Sequence, residues 1–293
     1  MQIVMTGATA GFGLFAAQRL LERGHRLVIG ARRPKSLPEE IAGKVEAFLL
    51  DLDRLESVRE FAGVLADTGP IDVLLLNAGL QLSQTTTGAD GFERTFAVNH
   101  LAHYLLLRVL VARMAPNGRI ILTASGTHDP AEGTPVTPPV HARAEWLAFP
   151  AKDPTAETSK RKAAFRAYSS SKLANVMTAR EAARLHPELS VMSYDPGYVP
   201  WTGLGRENGR LLSALASMVI PLLIKKDRSS TIPRSGGFLA ALADGDAYAD
   251  CHGQYWSVRG TSLESLAPSQ LARDDEACRA LWEDSAQLVG LEG

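Results

Sequence analysis

Apolar residues along this chain come in two alternating textures. Short continuous runs, Gln2-Ile3-Val4-Met5-Thr6, Leu27-Val28-Ile29-Gly30, Ala47-Phe48-Leu49-Leu50 and Val73-Leu74-Leu75-Leu76, read as strands. Between them, from Leu14 to Arg23 and from Leu55 to Leu65, apolar residues recur at helical spacing. Strands that are apolar on both sides and alternate with amphipathic helices predict an α/β fold, a parallel sheet covered on both faces. A longer stretch, Phe96 to Leu107, is a helix apolar almost all round, hence buried or at a subunit interface, and Asn99 is its polar exception. Arg119 to Ala124 reads as a further strand, ending at Ser125.

One apolar run stands apart. Leu211 to Ile224 is apolar for 14 residues before Lys225-Lys226, short of the roughly 20 that a bilayer span requires. It reads either as a lid over a hydrophobic substrate, touching a membrane surface at most, or as a helix packed on the domain or on another subunit. No stable membrane insertion is expected.

Length and charge narrow the classes. The 293 residues suffice for one large α/β domain. Lys plus Arg number 31 against 32 for Asp plus Glu, so no basic excess attracts nucleic acid or an anionic membrane. Cys251 and Cys278 are too few and too far apart for a disulfide framework or a Cys-type zinc site. Because a strand starts at Gln2 and leaves no room for a signal peptide, a cytoplasmic location is expected. His100 and His103 have no metal-ligand partners at suitable spacing, so no metal site is predicted.

The candidate chemistry lies where the strands end. The first runs into Thr6-Gly7-Ala8-Thr9-Ala10-Gly11-Phe12-Gly13 and then a helix. A glycine turn there lets a pyrophosphate approach the unpaired N–H groups at the helix's positive end. The second ends in Ala31-Arg32-Arg33, where a dinucleotide fold meets the adenosine ribose. No acid stands there to accept bonds from a 2′-hydroxyl, whereas Arg32 can pair with a 2′-phosphate, so NADP(H) is expected over NAD(H). The third and fourth end at Asp51-Leu52 and Asn77-Ala78-Gly79, the same edge. Tyr168 and Lys172 share one helix face, where a neighbouring cation lowers the pKa of a phenol.

Taken in order, Thr6-Gly7-x-x-x-Gly11-x-Gly13, Asn77-Ala78-Gly79, Asn99, Ser125, Tyr168-x-x-x-Lys172 and Pro196-Gly197 resemble the motifs of the short-chain dehydrogenase/reductase family over nearly the whole chain. Gly253-Gln254-Tyr255-Trp256, after a helix from Ser235 to Leu242, is similar to that family's last strand. The resemblance implies a single-domain Rossmann-type doubly wound fold, with a mainly seven-stranded parallel sheet and helices on both faces. It implies that Tyr168 is the general acid or base, that Lys172 lowers its pKa and binds the nicotinamide ribose, and that Ser125 holds the substrate oxygen. Asn99 would position a water linking Lys172 to solvent. The cofactor residues would be Gly7, Thr9, Ala10, Gly11, Phe12, Gly13, Arg32, Asp51, Leu52, Asn77, Ala78, Gly79, Tyr168, Lys172, Pro196, Gly197, Val199 and Thr202. Related enzymes often pair through the helices that here begin near Asn99 and Tyr168, which raises the expectation of a homo-oligomer.

Two departures mark this chain. The 43 positions from Ser125 to Tyr168 exceed the family's usual interval, and the Pro-rich insertion at about 127–165 is read as a pocket wall or as surface ornament. Its end, Lys160-Arg161-Lys162 with Arg166, reads as a solvated helix start or as an attractor for an anionic substrate. In Pro196-Gly197-Tyr198-Val199-Pro200-Trp201-Thr202, Thr202 lies one residue later than in the common form, so its contact with the carboxamide is open. That form, the insertion and Gly88 to Glu93 are similar to the branch with retinol-dehydrogenase-like and protochlorophyllide-reductase-like members, although Ala174 stands where the plant-type reductases commonly carry cysteine; a lid-like segment is expected at about 198–232. The expected function is hydride transfer between NADP(H) and a carbonyl, secondary alcohol or activated double bond of a fairly apolar small molecule. The alternative is a non-catalytic NADP-binding redox sensor or scaffold.

Overall fold

The computed structural model describes residues 1–200 and 226–292. Thr202 and the 211–224 run lie outside the described residues, as does most of the lid-like segment. One sheet carries β1 (Gln2–Thr6), β2 (Arg26–Ala31), β3 (Glu46–Leu49), β4 (Ile71–Leu76), β5 (Met114–Thr123), β6 (Ser190–Asp195), β7 (Tyr255–Arg259) and β8 (Ser262–Leu266), in the order β3-β2-β1-β4-β5-β6-β7-β8. The first seven are parallel and β8 turns back antiparallel on β7. The expected seven parallel strands are therefore present, with an eighth at the edge. Its pattern of exposed and half-buried residues marks a covering edge strand, not a core one.

The chain winds outward from β1 in both directions, and the crevice between β1 and β4 opens at the carboxyl ends of the strands. Successive side chains of one strand feed opposite layers. Val4 packs into one core cluster while Ile3 and Met5 pack into the other. Helix α1 (Gly11–Glu22) lies against the Ile232–Asp244 helix on one face. On the other lie α2 (Leu55–Val64), the Asn99 helix, the Tyr168 helix (Lys160–Leu185) and the Asp275–Leu288 helix.

The Asn99 helix, Arg94–Arg113, is the one helix among the described residues long and apolar enough to cross a membrane by composition, with mean hydropathy 1.3. Its apolar window is 78% buried inside the protein, as a core helix requires. Of the two readings, buried or at a subunit interface, burial within the chain is what the fold supplies. The Asp275–Leu288 helix covers it, with Tyr104 Oη donating to the Trp282 carbonyl at 2.7 Å and His100 Nε2 lying 2.9 Å from Ser285 Oγ.

The Pro-rich insertion divides into two parts. Its short helix Ala144–Ala148 joins the core, where Glu93 N–H donates to the Ala148 carbonyl and Phe92 packs on Phe149. Its first part stays at the sheet's carboxyl edge. There the Ser169 hydroxyl donates to the Thr137 carbonyl, and the Glu132 carboxylate receives Arg259 at 2.9 and 3.1 Å and Arg228 at 2.7 Å. Of the basic run, Arg166 is paired with Glu157, and Lys160, Arg161 and Lys162 are exposed at the start of the helix.

Candidate active site

The glycine turn is dictated by space. Gly7 has φ +71°, and a Cβ built on Gly13 would stand 2.2 Å from the Gly7 carbonyl oxygen, so the turn closes only without side chains. The α1 helix that follows has Ala10 at its N-cap with no side-chain hydrogen bond, and no acid in its first turn. Among the described residues its first N–H groups thus have no side-chain partner, at an end that favours an anion. Thr9, Ala10, Gly11 and Phe12 are half-buried around that end. A dinucleotide pyrophosphate fits this cradle.

The remaining cofactor candidates follow the same edge. Ala31 is buried at the end of β2 and Arg32 is exposed beyond it. Asp51 is half-buried, one carboxylate oxygen taking the Asp53 N–H at 3.2 Å, and Leu52 packs against the core. Asn77 is built into the turn itself. Its amide nitrogen donates to the Gly7 carbonyl at 3.2 Å, and its Oδ1 accepts the Thr123 hydroxyl at 3.1 Å. Past β6, Gly197 N–H donates to Asp195 Oδ1, and Pro196 and Val199 are buried.

Asn99, expected to be hydrogen-bonded, makes three bonds with its side chain. Oδ1 accepts the Leu80 N–H at 2.8 Å, and Nδ2 donates to the Leu80 carbonyl at 2.9 Å and to Ser171 Oγ at 3.0 Å. The Ser171 hydroxyl in turn donates to the Tyr168 carbonyl at 2.7 Å. The helix departs from α geometry here, with a π turn over Ala97–Leu101. Such turns recur at functional sites. Lys172 reaches across to the sheet, where Nζ donates to the Thr123 carbonyl at 3.0 Å. A Cβ at Gly79 would lie 3.3 Å from Asn99 Oδ1 and 3.5 Å from Lys172 Nζ, which brings the Asn77-Ala78-Gly79 edge, Asn99 and Lys172 together.

Ser125 sits at the end of β5, its Oγ accepting the Thr127 N–H and its carbonyl accepting His128 Nδ1–H at 2.8 Å. His128 Nε2 accepts the Ser269 N–H at 3.2 Å, so this buried imidazole is neutral with its proton on Nδ1, and burial lowers its pKa. Behind the turn, buried Asp195 collects three neutral donors, Gly197 N–H, Tyr255 Oη–H at 3.1 Å and Ser257 Oγ–H at 2.8 Å.

Burial raises the Tyr168 phenol above its ordinary range, with Ser125 pulling it down and the Asp195 charge pushing it up. The Lys172 ammonium lies 5.9 Å from the Tyr168 ring centroid, and burial brings Lys172 itself down to about 8. In this state Tyr168 holds its proton at neutral pH.

Thr6, Thr123, Ser171 and Asp195 carry much of this network; Thr6 opens the glycine motif read from the sequence, but none of the four was assigned a role there. Three had a positional signal, Thr6 and Thr123 closing apolar strands and Asp195 preceding Pro196-Gly197. Ser171 had only its place between Tyr168 and Lys172. Among the described residues no group of three metal-ligating side chains occurs.

A family model described as short chain dehydrogenase matches residues 1–135. A Streptomyces (strain C5) protein described as a daunorubicin C-13 ketoreductase is 36% identical, over 98% of this chain and 92% of its own length. Human retinol dehydrogenase 13 is 32% identical over 99% and 85%. The protochlorophyllide reductase of Avena sativa is 31% identical over 99% of both chains. Among solved structures, an uncharacterized protein from Mycobacterium paratuberculosis superposes with TM-score 0.70 at 26% identity, over 99% of this chain and 94% of that one. An NADPH complex of a blue fluorescent protein from a metagenomic library has TM-score 0.64 at 22% identity, over 89% and 96%, a likeness of fold alone. With near-complete coverage by relatives above 30% identity and a glycine turn, Asn99, Ser125, Tyr168 and Lys172 on one sheet edge, this chain belongs to the short-chain dehydrogenase/reductase family.

Proposed function

We propose that this oxidoreductase uses NADP(H), in preference to NAD(H), to interconvert a carbonyl and a secondary alcohol, or to reduce an activated double bond, on a fairly apolar small molecule. The observation that carries the reading is the convergence of Tyr168, Lys172, Ser125 and Asn99 beside the glycine cradle, each anchored by buried neighbours. The cofactor, when bound, supplies or takes the hydride. Tyr168, protonated at neutral pH, gives its phenolic proton to the substrate oxygen during carbonyl reduction, or to the carbon that does not take the hydride when a double bond is reduced, and recovers it from solvent afterwards. The Ser125 hydroxyl donates a hydrogen bond to the same oxygen as negative charge develops there. Lys172 binds the nicotinamide ribose, and Asn99 orders the Leu80 backbone beside it and holds the relay water. Gly7 to Gly13 bind the pyrophosphate, Arg32 the 2′-phosphate, Asp51, Leu52 and Asn77 to Gly79 the adenosine, and Pro196, Gly197, Val199 and Thr202 the nicotinamide side.

The relatives named for ketone, retinol and protochlorophyllide chemistry support an apolar substrate without choosing one. A cytoplasmic setting accords with two free, buried cysteines. Loss of NADPH absorbance against a panel of aldehydes, ketones and quinones tests the proposal. Turnover on at least one carbonyl supports it. Tight NADPH binding with no turnover on any of them would favour the sensor or scaffold reading, which the intact tetrad speaks against.

A further inference from the structure

Thr6 ends β1 one residue before the glycine turn, and its hydroxyl joins three groups. Oγ1 accepts the N–H of Asn77 at 2.9 Å and of Ala78 at 3.0 Å, and it lies 3.0 Å from His103 Nε2. A hydroxyl has two lone pairs and one hydrogen. Both lone pairs are taken by the two amides, so the hydrogen goes to the imidazole and Nε2 is the acceptor. The proton of the ring is therefore on Nδ1, which donates to the Asn99 main-chain carbonyl at 3.1 Å. His103 is fully buried, and burial, with a smaller contribution from the Lys172 charge, lowers its pKa to about 4. It is neutral in one tautomer.

This ring spans the two halves of the site. On its Nε2 side, Thr6 holds the Asn77-Ala78 backbone against the glycine turn. On its Nδ1 side lies the carbonyl of Asn99, in the π turn whose side chain braces Leu80 and, through Ser171, the Tyr168 backbone. An apolar side chain of similar size would fill the same space and serve neither partner. Accepting the reductase reading above, we propose that His103 is a positioning residue that ties the dinucleotide turn at Thr6 to the Asn99 carbonyl, its Nε2 serving cofactor binding and its Nδ1 serving proton transfer.

The two roles can be separated because a carboxamide copies one ring nitrogen at a time. In His103→Asn the amide nitrogen stands near the position of Nδ1 and keeps a donor for Asn99. In His103→Gln the amide oxygen reaches the position of Nε2 and keeps an acceptor for Thr6. His103→Leu keeps neither. NADPH fluorescence titration gives Kd, the best carbonyl of the panel gives kcat, and thermal unfolding reports the fold. The expected result is an NADPH Kd raised from a few-fold to about tenfold in the Leu and Asn variants and near wild type in Gln. In parallel kcat falls about tenfold or more in Leu and Gln and is largely restored in Asn. Loss of kcat and affinity together in all three, in step with Tm, would reduce His103 to a packing residue and overturn the proposal. Wild-type constants in His103→Leu would overturn it as well. Should the wild type turn over no carbonyl, the reductase reading falls separately. The NADPH titrations then decide, a Kd order of Gln below Asn and Leu supporting the tie and equal values in all three refuting it.

Discussion

Lys172 Nζ donates to the Thr123 carbonyl at 3.0 Å, and the Asn175 amide shares that oxygen at 3.0 Å, so the sheet, not Tyr168, holds the ammonium in place. The phenol and the ammonium stand near each other without bonding. Each is desolvated, and burial favours the neutral form of both, a tyrosine that keeps its proton and a lysine whose pKa falls to about 8.

Tyr168→Phe removes the proton donor and little else, since the ring stays buried. Turnover should fall by about 100-fold or more, while NADPH binds with nearly unchanged affinity. Steady-state rates beside a fluorescence titration check this, and an undiminished rate would remove Tyr168 from the mechanism.

Arg32→Ala should weaken NADPH far more than NADH. A charge-assisted pair with a phosphate contributes about 1.5–3 kcal/mol, so roughly a tenfold to hundredfold rise in Kd is expected for NADPH alone. Equal losses for the two cofactors would mean that the 2′-phosphate is bound elsewhere.

Glu93 is buried at the start of the Asn99 helix, where its carboxylate accepts the Phe96 N–H at 2.7 Å and burial lifts its pKa from 4.5 to about 7. Between those values the folded chain keeps a proton that the unfolded chain has released. Its contribution to stability is therefore full below about pH 4.5 and is lost as the pH rises to about 7, a change on the order of 3 kcal/mol. Buried His100 and His103, lowered to about 3 and about 4, act oppositely, withdrawing stability as the pH falls below about 6.5. The difference between wild type and Glu93→Gln isolates the carboxyl group. Glutamine keeps the acceptor for Phe96, so the variant should gain stability on the wild type as the pH rises from 5 to 8, measured by denaturant unfolding. A constant difference across that range would show that Glu93 does not titrate there.

Oligomeric state follows from what covers the helices. The faces of the Asn99 and Tyr168 helices turned away from the sheet are packed under the Asp275–Leu288 helix, whose Trp282, Leu281 and Cys278 are buried there. Pairing of two copies through those helices is expected to be absent. Light scattering should show no dimer that depends on them, and a dimer dissociated by charged substitutions on the Asn99 helix alone would contradict this.

Much of the fold was legible because parallel strands buried on both sides leave continuous apolar runs, and because the carboxyl ends of those strands must carry the polar chemistry. The glycine turn, Asn77, Asn99, Ser125, Tyr168, Lys172 and Pro196 each stood in such a run's shadow or at a fixed local spacing. Local order along the chain was enough for these.

Tertiary structure alone decided the rest. The role of His103 depends on Thr6, 97 positions away, and no periodicity joins them. The anchor of Lys172 on Thr123 spans 49 positions, and the Glu132 clamp on Arg259 spans 127. Whether the Phe96–Leu107 run faced another subunit or the chain's own interior was equally undetermined by its composition, because Leu and Tyr desolvate equally well against either. Sequence thus determined which groups meet at the sheet edge. The long-range packing determined which of them are desolvated, which hydrogen bonds they then must make, and so which proton each one holds.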